Sequence, residues 1–127
     1  MSIRQPWIEL ILSGRKTIEV RSWPTKYRGE LWLHAGKKVD TNAFARFNLS
    51  VENISLGAIL GKCELIDCQE FNDLTWVHWR TRHLNDGAFR NRSFAWFLSN
   101  PVRVIPQPMK GRLGLMSIQD HAGQERL

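Results

Sequence analysis

Lys16, Glu19 and Arg21 fall within six residues, so an ammonium, a carboxylate and a guanidinium can converge where one element hands over to the next. Such a trio could grip a phosphate or the edge of a base. In an extended segment Glu19 and Arg21 share a face about 6.6 Å apart, close enough to pair and hold each other in place. An ion pair knitting a sheet edge is the alternative reading, although an exposed pair contributes only about 0 to 1 kcal/mol. A catalytic lysine here would need its pKa lowered toward neutrality by desolvation or by a neighbouring cation such as Arg21.

Trp7, Trp23, Trp32 and Tyr27 could add flat surfaces for base stacking, worth about 1 to 3 kcal/mol per base. Periodicity assigns Trp7 and Trp96 to the core, and Trp23, beside Pro24 in a basic loop, to stacking. Trp32 shares its strand face with Glu30 and His34 and fits either role. His34 is a candidate hydrogen-bond donor to a ligand, yet a lone histidine is more often a satisfied structural residue. His78 and His83 are five apart, the wrong spacing for two ligands on one helix face. Cys63 and Cys68, in a stretch that reads as a strand, would lie about 16 Å apart on opposite faces, which forbids a disulfide. Neither cysteine has a metal-ligand partner nearby, so no metal is expected. The chain carries no Gly-x-Ser-x-Gly, Walker A or dinucleotide motif, which leaves acyl-transfer hydrolase, NTPase and dehydrogenase readings without support and implies no cofactor.

The 127 residues carry a net charge of +6, unevenly spread. Residues 1–40 hold +4, residues 41–77 hold −3 and residues 78–115 hold +6. Two basic regions folded onto one side would attract polyanions. Arg90 and Arg92 in a loop at 85–92, and Lys110 and Arg112 around Gly111, are the expected phosphate contacts. The length suits one domain, and 43% hydrophobic with 24% charged residues is a globular composition that excludes disorder as the main state. No apolar run approaches the roughly 20 residues of a spanning helix, and the N-terminus lacks a signal-peptide core. A cytoplasmic, monomeric protein without a membrane segment is expected.

The elements that must position these residues follow from periodicity. A helix is predicted over 6–13, with Pro6 in its first position, Trp7, Ile8, Ile11 and Leu12 as its apolar stripe and Gly14 as its cap. Strands are predicted at 17–21, 29–35 and 58–70, the last bent at Gly61. Residues 41–49 read as a helix with Phe44 and Phe47 inward. Asn72 or Asp73 should cap another helix reaching about Leu84, with Trp76, Trp79 and His83 on one side. Strands at 94–98 and 102–105 are separated by Asn100-Pro101, and a last strand covers 113–118. The sum is an α+β barrel.

Gln5-Pro6-Trp7, then Gly14-Arg15-Lys16-Thr17-Ile18-Glu19-Val20-Arg21-Ser22-Trp23, then Tyr27-Arg28-Gly29 and Leu33-His34-Ala35 closely resemble the ASCH domain of the PUA-like superfamily. Phe94-Ala95-Trp96 and Lys110-Gly111-Arg112-Leu113-Gly114-Leu115 resemble its closing strands, while residues 36–57 and 70–92 match least. The resemblance implies an ASCH domain over residues 1–119 and a small β-barrel with short helices closing its ends and flanking a cleft, while the polar composition of residues 120–127 predicts a tail that frays. Related domains bind RNA or modified bases there. The expected ligand is RNA, another single-stranded nucleic acid or a nucleoside-like molecule, held by Gln5, Lys16, Arg21, Trp23, Tyr27, Arg28 and His34 together with the basic loops. One branch of the family resembles amidohydrolases that deacylate N4-acylated cytidines with a lysine placed as Lys16 is, a threonine three residues later and a distal glutamate. Here Glu19 stands where the threonine would be, and Glu64 is the candidate distal carboxylate. The enzymatic alternative, hydrolysis of a modified nucleoside or of RNA, therefore rests on Lys16, Glu19 and Glu64. A third alternative is a protein-interaction module using residues 71–84.

Overall fold

The computed structural model describes residues 1–109. In chain order its elements are β1 (Ser2–Gln5), α1 (Trp7–Leu12), β2 (Ile18–Arg21), β3 (Gly29–Val39), α2 (Thr41–Arg46), a single 3-10 turn (Val51–Asn53), β4 (Ala58–Glu70), α3 (Asp73–His78), α4 (Arg80–His83) and β5 (Phe94–Pro108). The last predicted strand, the turn carrying Lys110 and Arg112 and the polar tail lie outside the described residues. No helix among the described residues is long and apolar enough to cross a membrane.

Leu31 and Leu33 of β3 and Cys63 and Leu65 of β4 alternate inward, and the two strands pair antiparallel at the centre of a five-stranded sheet ordered β1-β3-β4-β5-β2. Only β1 runs parallel to its neighbour. Ile8, Ile11 and Leu12 of α1 pack on this inner face with Leu60 and Leu98, and a second apolar cluster joins Ile18, Ala95 and Phe97 to Phe71 and Trp76 beneath α3. The fold is thus α+β, a single sheet with short helices. Its ladder stays open among the described residues: no backbone pairing joins β1 to β2.

Several expectations need correction. Residues 2–5 form a strand that periodicity missed, because the residue alternating inward with Ile3 is the polar Gln5. Pro6 precedes α1 instead of opening it. The stripe of that helix is Ile8, Leu10, Ile11 and Leu12, leaving Trp7 half-buried at its edge. Asn100-Pro101 does not end a strand. Asn100 takes φ +51°, and the pair bulges out between Ser99, opposite Glu64, and Val102, opposite Lys62, so β5 runs on through it. The helix expected from Asn72 to about Leu84 is broken at Trp79 into α3 and α4, with Asn72 and Thr75 forming a capping box. Gly61 is required by close approach: a Cβ there would meet Leu12 Cδ2 at 2.6 Å and the Val102 carbonyl closer still.

Candidate functional site

The two edge strands of the sheet, β1 and β2, are the ones that α1 connects. One side chain spans their gap: Arg21 Nη2 on β2 donates to the Ser2 carbonyl on β1 at 3.0 Å, and no other side-chain hydrogen bond joins the two strands among the described residues. In this seam lies a cleft of about 300 Å³ lined by Arg4, Trp7, Lys16, Glu19, Val20 and Arg21, with Asn85 at its rim. Trp7 comes from the start of α1. Lys16 follows the turn at Gly14, whose φ of +87° suits a residue without Cβ.

Lys16 is only 2% exposed. Its Nζ donates to the His83 carbonyl at 2.5 Å and to Asn85 Oδ1 at 3.4 Å, stands 3.7 Å from Glu19 Oε1 and lies 4.8 Å from the Trp7 ring centroid. Burial pulls its pKa down to about 8, outweighing the Glu19 carboxylate that favours the ammonium, with Arg21 and Arg46 pushing the same way as burial. Glu19 is buried too, and its second oxygen meets Arg21 Nη2 at 3.2 Å. The Arg21 guanidinium lies 5.4 Å from the Trp23 ring centroid, and its buried Nε has no hydrogen-bond partner among the described residues. Trp7 is held by Asp40, whose Oδ2 accepts from the indole at 3.0 Å while Oδ1 caps α2 through Ala43 N at 3.1 Å.

The end of α4 and the segment after it are pinned by their carbonyls. Thr17 N donates to Arg82 O at 3.0 Å, Lys16 to His83 O, Arg46 to Leu84 O at 2.8 Å and Arg80 to Asn85 O at 2.8 Å. Trp76 Nε1 donates to Gly87 O at 3.0 Å. Leu84 turns the chain in the left-handed region, φ 64°, and this web sets Asn85 at the rim. Beyond the rim a second cavity of about 440 Å³ opens among Asn42, Arg46, Trp76, Asp86 and Arg90, sharing Trp7, Val20 and Asn85 with the first.

Of the residues singled out from sequence, Lys16, Glu19 and Arg21 meet in the cleft and Arg90 lines the second cavity. Trp7 lines both cavities, and the other described residues stand elsewhere. Gln5 is buried and structural, its Oε1 accepting from Glu9 N at 3.0 Å and its Nε2 donating to Ser55 O at 3.3 Å. His34, a candidate ligand donor or a satisfied structural residue on the polar face of β3, is 2% exposed and bonded to Ser2 Oγ at 3.0 Å and to Met109 O at 3.2 Å, as the structural reading has it. Both faces of β3 are covered there, which alternation could not foresee. Tyr27 donates to Glu30 O at 2.8 Å. Arg28 holds Thr25 O and Tyr27 O and faces Asp67. Trp23 is 39% exposed beside Arg21, edge-on to the buried Trp96, and Arg92 is exposed, with φ 62°. Glu64 is exposed on β4 and does not line the cleft; its Oε1 accepts from Asn100 Nδ2 at 3.4 Å. Arg4, Arg46, Asn42 and Asn85 were not singled out as site residues, and Trp7, a candidate stacking surface, was assigned to the core by periodicity. Of the four, Arg4 carried a usable signal, as a basic residue beside Gln5-Pro6-Trp7.

Cys63 is a buried free thiol, its pKa pushed up to about 12 by burial. Among the described residues no three His, Cys, Asp or Glu converge to hold a metal ion. On α3, Leu74 and Val77 are exposed while Trp76 is buried.

The family model described as the ASCH domain matches residues 1–116. Activating signal cointegrator 1 of Mus musculus and that of Homo sapiens are each 27% identical to the chain over 124 residues, covering 87% of it and 20% of their own length. The chain thus spans about a fifth of these curated relatives. The crystal structure of ASCH from Zymomonas mobilis superposes with a TM-score of 0.65 at 15% identity, covering 99% of this chain and 80% of that one. A single-substitution variant of the same protein gives 0.64 at 16% identity, with 98% and 81% covered. At such identities the likeness concerns the fold.

Proposed function

The chain belongs to the ASCH domain family, and from that premise we propose that it binds single-stranded nucleic acid, RNA in the first place, in the seam between β1 and β2. In this reading the sheet is a small PUA-like barrel whose unpaired edges form the mouth of the site. The observation that carries it is the buried Lys16–Glu19–Arg21 chain opening beside the Trp7 ring. Two cations around one carboxylate suit a nucleotide better than a bare anion, because Glu19 would repel a phosphate placed against it yet can accept from a base amino group. Arg4 is left for the backbone and Trp7 for the base face. Single strands fit because their unstacked bases can enter a small cleft. Binding of a short RNA measured across salt concentrations tests it. Affinity falls with salt by about 0.7 log units per log unit for each phosphate contacted, and a flat profile would overturn the reading.

Hydrolysis of a modified nucleoside is the second reading, favoured by one feature, the Lys16 pKa of about 8. Such an amine is neutral in about a tenth of molecules at pH 7. Against it stand the three acceptors around Nζ, the missing threonine hydroxyl and a cleft that Glu64 does not line. Release of acetate from N4-acetylcytidine by wild type and not by Lys16→Met would establish it.

A further inference from the structure

The cleft in the seam and the cavity beyond it are separated only by residues that line both, Trp7, Val20 and Asn85. They are two compartments of one groove. Most cations along it are spoken for: Lys16 by His83 O and Glu19, Arg21 by Ser2 O and Glu19, and Arg46 by Leu84 O and Asp86. The carboxylates are engaged as well, Asp40 by Trp7 and the start of α2 and Asp86 by Arg46.

Two guanidinium groups differ. Arg4, which lines the first compartment, and Arg90, which lines the second, are both exposed. Neither has a side-chain hydrogen bond, ion pair or ring contact among the described residues. One uncommitted cation at each compartment, with an indole on the wall between, matches a linear polyanion whose charges recur along a backbone and whose flat groups alternate with them. A lone nucleoside would occupy one compartment and leave the other cation idle. A duplex would keep its bases out of both.

Resting on the function proposed above, we infer that the site takes a strand of at least two consecutive nucleotides, one unit in each compartment, with Arg4 and Arg90 contacting different phosphates. The minimal ligand is therefore a 5′-phosphorylated dinucleotide, not a nucleoside or mononucleotide.

The test is equilibrium binding of uridine 5′-monophosphate, the dinucleotide pUpU and an eight-residue oligouridylate, with the corresponding deoxy series, to wild type, Arg4→Ala and Arg90→Ala. Both arginines lie outside the packed core, so melting temperatures should match wild type and confirm intact folding. The expected result is that the dinucleotide binds at least tenfold more tightly than the mononucleotide and shows a salt slope steeper by about 0.7. Arg90→Ala should lower the ratio of those two affinities severalfold. The series in which the length effect appears, ribose or deoxyribose, identifies the strand. Equal affinity for mononucleotide and dinucleotide, or an equal loss for both in Arg90→Ala, would overturn the inference while leaving nucleotide binding in the seam intact. Absence of binding at every length would overturn both.

Discussion

The Lys16 ammonium donates to the His83 carbonyl at 2.5 Å, so the residue at the heart of the cleft is also the tether that holds the end of α4. Site and scaffold share one buried charge. That charge makes the cleft's integrity depend on pH.

Lys16 has a folded pKa of about 8 against an ordinary 10.5, so between those values the unfolded chain binds more protons and stability rises with pH. Cys63 acts in the opposite sense. Its thiol is held up to about 12 from 9.0, so the unfolded chain binds fewer protons over that interval and stability falls. The window from pH 8 to 9 therefore belongs to Lys16, and urea unfolding should show a gain on the order of 1 kcal/mol across it. Lys16→Met should abolish that gain. A gain of equal size in the variant would assign it to other groups.

Asp40 serves two masters, the first turn of α2 and the Trp7 indole. Asp40→Ala should cost about 1 to 2 kcal/mol through the lost cap and an unpaired indole N–H. Asp40→Asn has one carbonyl oxygen for two donors, so it should fall between Ala and wild type in stability. Nucleic-acid affinity should drop in both variants, because Asp40 holds the Trp7 ring in the orientation that faces the base. Chemical denaturation and RNA titration on the same preparations check the pair of expectations.

At Gly61 the prediction concerns packing alone. A methyl group would press on Leu12 Cδ2 at 2.6 Å and on the Val102 carbonyl of the paired strand, and backbone cannot step aside as a flexible side chain can. Gly61→Ala should lose about 1 to 3 kcal/mol, read as a lowered melting temperature.

Arg21 meets both Ser2 O and Glu19 through one nitrogen, Nη2. Lysine keeps the charge but not the planar guanidinium that sets that nitrogen between them. Arg21→Lys should cost about 1 kcal/mol for the bond lost across the seam and weaken RNA binding more than Arg92→Lys does. Arg92 is exposed and lines neither compartment of the groove. Equal effects of the two substitutions on binding would show that only charge counts.

What could be read from sequence was what is local. Lys16, Glu19 and Arg21 are near neighbours in the chain, so their meeting needed no knowledge of the fold, and β4 announced itself by alternation with a break at Gly61. The partners that finish the site come from far away. Asn85 reaches Lys16 across 69 residues and Asp40 reaches Trp7 across 33, distances over which periodicity carries no information. Gln5 misled for a related reason: it is a polar residue buried with its own partners, and a pattern of apolar against polar treats such residues as exposed. His34 is buried and bonded in the same way, the satisfied structural histidine that a lone histidine more often is. Trp7 erred in the opposite direction, as a large apolar group placed at the edge of the helix stripe where it can face a ligand.

The most direct test is a titration of isotope-labelled protein with an eight-residue oligouridylate, followed by backbone amide and indole resonances. The account predicts saturable shifts concentrated at Arg4, Trp7, Lys16, Glu19, Val20, Arg21 and Asn85, with the Trp7 indole among the largest, all fading as salt is raised. Shifts centred on Leu74 and Val77 of α3, or on the outer half of β5 around Ile105, with the seam undisturbed, would contradict it.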